Sequence, residues 1–205
     1  MRRFFYPVRY QTMKQTLSMN SPDNFMSSQT IILATQTWVD KAVIGLNLCP
    51  FAKAVQVKNQ IRYVVSEATT VDALLADFIH ELNTLAAADP DDIDTTLLIH
   101  PQVLQDFLDY NDFLELAETV IEEQELDGEL QVASFHPDYQ FAGTLPDDIE
   151  NYTNRSPYPI LHLLREDSVE RAVDAFPDAA DIFEKNMATL QALGKDGWQK
   201  LGLGK

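Results

Sequence analysis

Asp94-Thr-Thr-Leu-Leu-Ile-His-Pro101 and Leu130-Gln-Val-Ala-Ser-Phe-His-Pro137 decide the fold. Each is a short apolar run that follows a turn signal, Asp89-Pro-Asp-Asp92 before the first and Asp127-Gly128 before the second, and each closes on the same dipeptide. Runs of this length between turn residues read as β-strands. Two more of the kind, Ile61-Arg-Tyr-Val-Val-Ser66 and Ile160-Leu-His-Leu-Leu164, bring the expected sheet to about four strands.

The intervening segments carry helical spacing. Ile31, Ile32, Leu33, Thr35, Trp38, Val39, Ala42, Val43 and Leu46 recur on one face until Pro50 stops the pattern. Thr69-Thr-Val-Asp72 resembles a capping box and opens a stripe of Val71, Leu74, Leu75, Phe78, Ile79, Leu82 and Leu85. Pro101 suits the first turn of a third helix, expected to reach about Gln124 with a break near Asn111. Asp167-Ser-Val-Glu170 is a second capping-box-like start, with helices expected through Val173 and from Asp178 to about Leu193. Strands alternating with helices predict an α/β layered domain, its sheet at least partly parallel and flanked by helices.

A chain of 205 residues suits one generous core, and 45% hydrophobic with 23% charged residues is ordinary for a folded domain. The formal charge of -17 is unevenly spread, because Arg2, Arg3, Arg9 and Lys14 precede the first acid. The organisation expected is a basic N-terminal tail over 1–27, a single α/β domain over 28–193 and a flexible C-terminal tail over 194–205. Translation starting at Met13 or Met19 would remove most of the basic tail. A body this acidic repels phosphate backbones and anionic lipid, so neither nucleic acid nor a membrane is an expected partner. No apolar run reaches the roughly eighteen residues of a transmembrane helix. One cysteine, Cys49, excludes an internal disulfide framework and fits a reducing, cytoplasmic setting.

If the two strands ending in His-Pro are parallel neighbours, His100 and His136 emerge at one carboxyl edge, where open α/β sheets place their ligands. Paired imidazoles there suit acid/base catalysis or metal binding. Equally, each histidine caps its strand and bonds to nearby backbone. From 138 to 159 no periodicity is sustained, and a connection of that length is functional or disordered. It holds Asp138, Tyr139, Asn154, Arg155, Ser156 and Tyr158, with Arg155 the only cation. A guanidinium fork there is suited to an anion, or else ties the loop down through Asp138 or Asp147. His162 lies within a strand and reads as core or as a third metal ligand, and His80 as a surface residue. Cys49 ends a helix, where the dipole disfavours a thiolate, so it reads as core ahead of nucleophile or ligand.

Trp38-Val-Asp-Lys-Ala-Val-Ile-Gly-Leu-Asn-Leu-Cys-Pro-Phe-Ala-Lys53, Ile61–Ser66, Asp94–Pro101, Phe135-His-Pro-Asp-Tyr-Gln-Phe-Ala-Gly143 and Asn151-Tyr-Thr-Asn-Arg-Ser-Pro-Tyr-Pro159 together resemble the bacterial domain of unknown function 1415 family. The resemblance spans roughly residues 28 to 193, leaves out the basic tail, and implies no activity, cofactor or catalytic residue.

The function expected from the residues is a small-molecule enzyme acting on an anionic substrate. His100 or His136 would serve as acid or base, Asp138 would orient an imidazole and Tyr139 would supply a hydroxyl. Arg155, Asn154, Ser156 and Tyr158 would hold the substrate. A metal form would draw on His100, His136, His162 and Cys49. The alternative is a non-catalytic ligand- or protein-binding module. Neither reading sets a cofactor or an oligomeric state.

Overall fold

The computed structural model describes residues 27–175 and 181–203. Its elements run α1 (Ser28–Trp38), a π-helical turn (Val39–Ile44), α2 (Ala52–Val57), β1 (Ile61–Val65), α3 (Val71–Ala87), β2 (Thr95–Ile99), α4 (Phe107–Glu123) and β3 (Leu130–Phe135). A 3-10 turn (Ile149–Thr153), β4 (Ile160–Arg165), α5 (Glu166–Asp174) and α6 (Ile182–Lys200) complete the order. The expected α/β layers and four strands are present. Residues 1–26 and the expected helix start at Asp178 lie outside the described residues.

The sheet order is β1-β2-β4-β3, with β1 and β2 parallel and β4 antiparallel to both β2 and β3. The two strands that close on His-Pro therefore point the same way, but they are not neighbours. β4 lies between them, pairing Leu98 with Leu161 on one side and Ser134 with the same Leu161 on the other.

Because side chains alternate along a strand, the sheet has two distinct faces. The inner face carries Leu98, Leu161, Leu163 and Leu130 against Leu74, Phe78, Leu82 and Leu85 of α3 and Tyr110, Phe113, Ala117, Val120 and Ile121 of α4. Each fully buried leucine or phenylalanine among them contributes about 1.5–3 kcal/mol by leaving water. The outer face carries Leu97, Ile99, Ile160 and Phe135 beneath Ile31, Trp38, Val39 and Ala42 of the first helix, with Trp198, Leu201 and Leu203 at the other end of the chain.

Caps explain where three helices begin. Ser27 Oγ accepts from the Thr30 amide and Thr70 Oγ1 from the Ala73 amide, while Asp106 accepts from Leu108 and Asp109. Asp106, not Pro101, starts α4, and residues 101–105 form a turn in which Leu104 holds φ 55. No break occurs at Asn111, which is exposed and costs α4 little. The box expected at Asp167–Glu170 does not form either, since α5 starts two residues early, at Glu166, without a side-chain cap.

The C-terminal stretch differs most from expectation. Gly194 (φ 62, ψ 174) does end the first part of α6, but a second part continues to Lys200. Trp198 packs edge-on against Tyr152 at 5.0 Å, Lys41 donates to the Leu201 carbonyl at 2.8 Å and Leu203 is buried. Aromatic and apolar burial, which a glycine-rich tail conceals in sequence, holds this segment down. Among the described residues no helix is long and apolar enough to cross a membrane.

On the inner face, Arg62 of β1 makes a two-point ion pair with Glu81 of α3, at 2.7 and 3.1 Å, and Glu81 is almost fully buried. A buried carboxylate stripped of its partner is costly. Arg62→Ala is expected to lower unfolding free energy by about 3 kcal/mol in urea titrations, and pairing Arg62→Met with Glu81→Leu to recover most of it.

Candidate functional site

His100 and His136 do come together, at the carboxyl end of β2 and β3, and both are fully buried. Tyr110 of α4 stands between them, with ring centroids 5.7 Å from His100 and 5.1 Å from His136. Its hydroxyl donates to the Ile160 carbonyl (2.8 Å) and accepts from the Phe135 amide (3.1 Å), bridging the last opposed pair of the β3–β4 ladder.

The imidazoles are committed to backbone. His100 Nδ1–H donates to the Val103 carbonyl at 3.0 Å, and His136 Nε2–H donates to the Leu104 carbonyl at 3.2 Å while its Nδ1 accepts from the Asp138 amide at 3.0 Å. Two strands thus grip consecutive carbonyls of one turn. Those bonds set the tautomers: Nδ1–H on His100 and Nε2–H on His136. Burial pushes His100 down to about 4, against the pull of the Val103 carbonyl. Burial also lowers His136, opposed by the Leu104 carbonyl and by Asp138 and Asp106. Among the described residues, only Thr96 Oγ1 and His100 Nε2 are buried side-chain polar atoms without a partner.

The 138–159 connection is a hydrogen-bonded knot. Asp138 reaches His136 through its backbone N–H. Asn154 gives its side-chain amide to the Ser134 carbonyl, and its own carbonyl takes the His136 amide. Asn151 is buried, accepting from the Phe141 amide and the Thr144 hydroxyl and donating to the Leu145 carbonyl. Arg155 donates to the carbonyls of Tyr139 (3.3 Å) and Pro146 (2.6 Å), with its guanidinium 4.4 Å above the Tyr152 ring. It ties the loop down, as one reading allowed, but through carbonyls in place of Asp138 or Asp147. Tyr139 packs against Phe107 and Phe141, and buried Ser156 donates to the Tyr158 carbonyl. α6 clamps the outside through Phe183 on Phe141 and Gln191 on Glu150.

His162 and Cys49 lie elsewhere. His162 pairs in register with Leu97 and Ala133, so it belongs to the outer face, and both residues line a cleft of about 790 Å³ on that face. Trp38, Val43, Phe51, Leu97, Ala133 and Phe135 supply most of its apolar wall, while Lys58, Asp91 and Arg171 lie at an exposed rim. Burial raises the Cys49 thiol, outweighing the Phe51 and Ala52 amides near it, so the sulfur stays protonated. Desolvation holds His162 at about 4. The four expected metal ligands are therefore divided between opposite faces, and among the described residues no three of His, Cys, Asp or Glu gather in a metal-binding group.

The polar, motif-like strings of the sequence lie at the knot, on the opposite side of the sheet from the cleft. A signal for the cleft existed in the alternate positions of the strands. Thr95, Gln131, Ala133 and His162 put small or polar side chains on a face otherwise built of Ile, Leu, Val and aromatic residues. The π-turn beside it, with Gly45 N–H bonding to the Asp40 carbonyl, is a departure from α-helix often found at functional sites.

Residues 30–200 match the family model described as "Protein of unknown function (DUF1415)", and the chain belongs to that family. No curated protein and no solved structure matches the chain.

The buried imidazoles make stability depend on pH. An unfolded histidine titrates near about 6.5, and His100 and His162 are held at about 4 in the fold. The unfolded chain then takes up protons first, so their contribution is intact above about pH 6.5 and is lost as pH falls toward 4, on the order of 3 kcal/mol for each. Urea midpoints are expected to fall steadily from pH 7 to 4.5. In ¹H–¹⁵N spectra at pH 7.5, His100 is expected to show the Nδ1–H pattern and His136 the Nε2–H pattern, that of His100 unchanged down to pH 5.5.

Proposed function

We propose that this member of the DUF1415 family binds a small, largely apolar molecule in the cleft over the outer face of its sheet. The observation that carries the reading is the cleft itself. Its volume of about 790 Å³ lies within the roughly 300–1,000 Å³ of small-molecule sites. An aromatic and aliphatic wall with a few polar groups is also the composition such sites have.

The acid/base reading centred on His100 and His136 has weaker support. A general base must come within hydrogen-bond reach of the proton it removes, directly or through one water. Both rings are sealed from solvent, and three of their four ring nitrogens are already bonded. An anionic substrate held by Arg155 would have to displace two backbone carbonyls and a stacked tyrosine. At the cleft, a protonated Cys49 lacks the thiolate character of a nucleophile. Binding without chemistry is the reading these groups favour.

A simple probe tests it. The ¹⁹F resonance of 1-fluoronaphthalene should shift and broaden saturably with the protein. Ala133→Leu, which fills the cleft from its floor, should abolish that response while leaving the circular dichroism unchanged. No saturable response to the probe, or an undiminished one in the variant, would count against the cleft as the site.

A further inference from the structure

We infer, building on the cleft as the binding site, that its ligand is uncharged and presents a hydroxyl or N–H donor to His162 Nδ1, with Thr95 as the residue that positions the imidazole. Thr95 Oγ1 lies 2.6 Å from the Leu163 carbonyl and 2.7 Å from His162 Nε2. A carbonyl can only accept, so the single hydroxyl proton goes to Leu163. Toward the histidine, Thr95 can then only accept, which places a proton on Nε2. The neutral ring is left with an unprotonated Nδ1.

Among the described residues that Nδ1 has no hydrogen-bond partner. It is also absent from the sealed polar atoms without one, which among the described residues are Thr96 Oγ1 and His100 Nε2. The half-buried ring therefore opens its lone pair to the cleft, beside Leu97, Ala133 and Phe135. An acceptor in apolar surroundings gains most from a donor brought to it, because no competing partner is within reach. The ring does not protonate at neutral pH, since desolvation holds it near 4, so it offers no charge to an anion.

The remaining charges point the same way. Arg165 spends its guanidinium on the carbonyls of Leu85, Ala88 and Ile93. Arg171 is joined to Asp94 through Ser168, at 2.8 and 2.6 Å. Lys58 and Asp91 at the rim offset each other in sign. A chain of net charge -17 adds a long-range field that disfavours anions further. What the floor offers is one acceptor in an apolar setting, which a phenol, an alcohol on a ring system or an indole-type N–H would satisfy.

Two ligands of equal shape separate the donor from the apolar body. 1-Naphthol and 1-fluoronaphthalene differ by a hydroxyl for a fluorine, and water retains the naphthol more strongly, so apolar transfer alone favours the fluoro compound. The expected result is that naphthol displaces 1-fluoronaphthalene with at least ten-fold tighter binding. In His162→Phe that preference should vanish while the fluoro probe still binds. Equal or weaker binding of naphthol, with the fluoro probe seated in the cleft, overturns this inference and leaves the binding reading standing. Binding of neither removes both. On the wild-type protein, ¹⁵N spectra should show His162 Nδ1 as unprotonated, moving toward the hydrogen-bonded position when naphthol is added, and Thr95→Val should lose that single-tautomer pattern. A proton on Nδ1 in the free wild-type protein would also overturn the inference.

Discussion

Two imidazoles holding consecutive carbonyls of a single turn are the constraint on which the architecture rests. His100 comes from the end of β2 and His136 from the end of β3, strands separated by β4, and they meet on Val103 and Leu104. Leu104 occupies the left-handed region, which side chains with a β-carbon rarely adopt unless held there. The turn in turn delivers Asp106 as the cap of α4, and one turn of helix later Tyr110 enters between the two rings. A helix, a turn and three strands are therefore fixed by one small buried polar cluster. Such clusters are worth most when every member is satisfied, and here only His100 Nε2 lacks a partner.

With that edge closed, the sheet becomes asymmetric. Inner-face side chains interlock with α3 and α4 into one buried apolar core. Outside, α1 and its π-turn cover one end of the strands, and α5 lies beyond the other, leaving the stretch around His162 under a cleft. The same residue type thus has opposite fates on the two faces. Histidines at strand ends find carbonyls and become structure, whereas the histidine in mid-strand finds only a threonine on one side and open space on the other.

Much of the fold was legible because it follows from periodicity. The four strands lie within a residue of the stretches marked by turn signals, and the stripe Leu74–Leu85 is the buried face of α3. Strand order was not legible, since whether β3 pairs with β2 or β4 depends on contacts across the sheet that no local pattern records. The knot was visible as a cluster of unusual residues, but its chemistry was not. Asp138, Asn154 and Arg155 act largely on or through backbone groups, and a sequence does not show which carbonyl a side chain will find. Trp198 and Leu203 were hidden among glycines and lysines, where local composition argues for a loose end while aromatic burial secures an ordered one.

His162 interrupts an otherwise apolar stretch of β4 on the outer face. A leucine at that position would match Ile160 and Leu164 on its face and pack over Ala133 with no polar atom to satisfy. The imidazole instead gives up solvation, takes back one hydrogen bond from Thr95, and leaves a lone pair facing an apolar wall. An acceptor in apolar surroundings gains most from a donor held against it, because few competing partners are within reach. Folding returns to the ring only the bond to Thr95, whose own proton goes to the Leu163 carbonyl. A donor brought into the cleft would complete the hydrogen bonding of His162, whereas His100 and His136 spend their donors on the carbonyls of one turn.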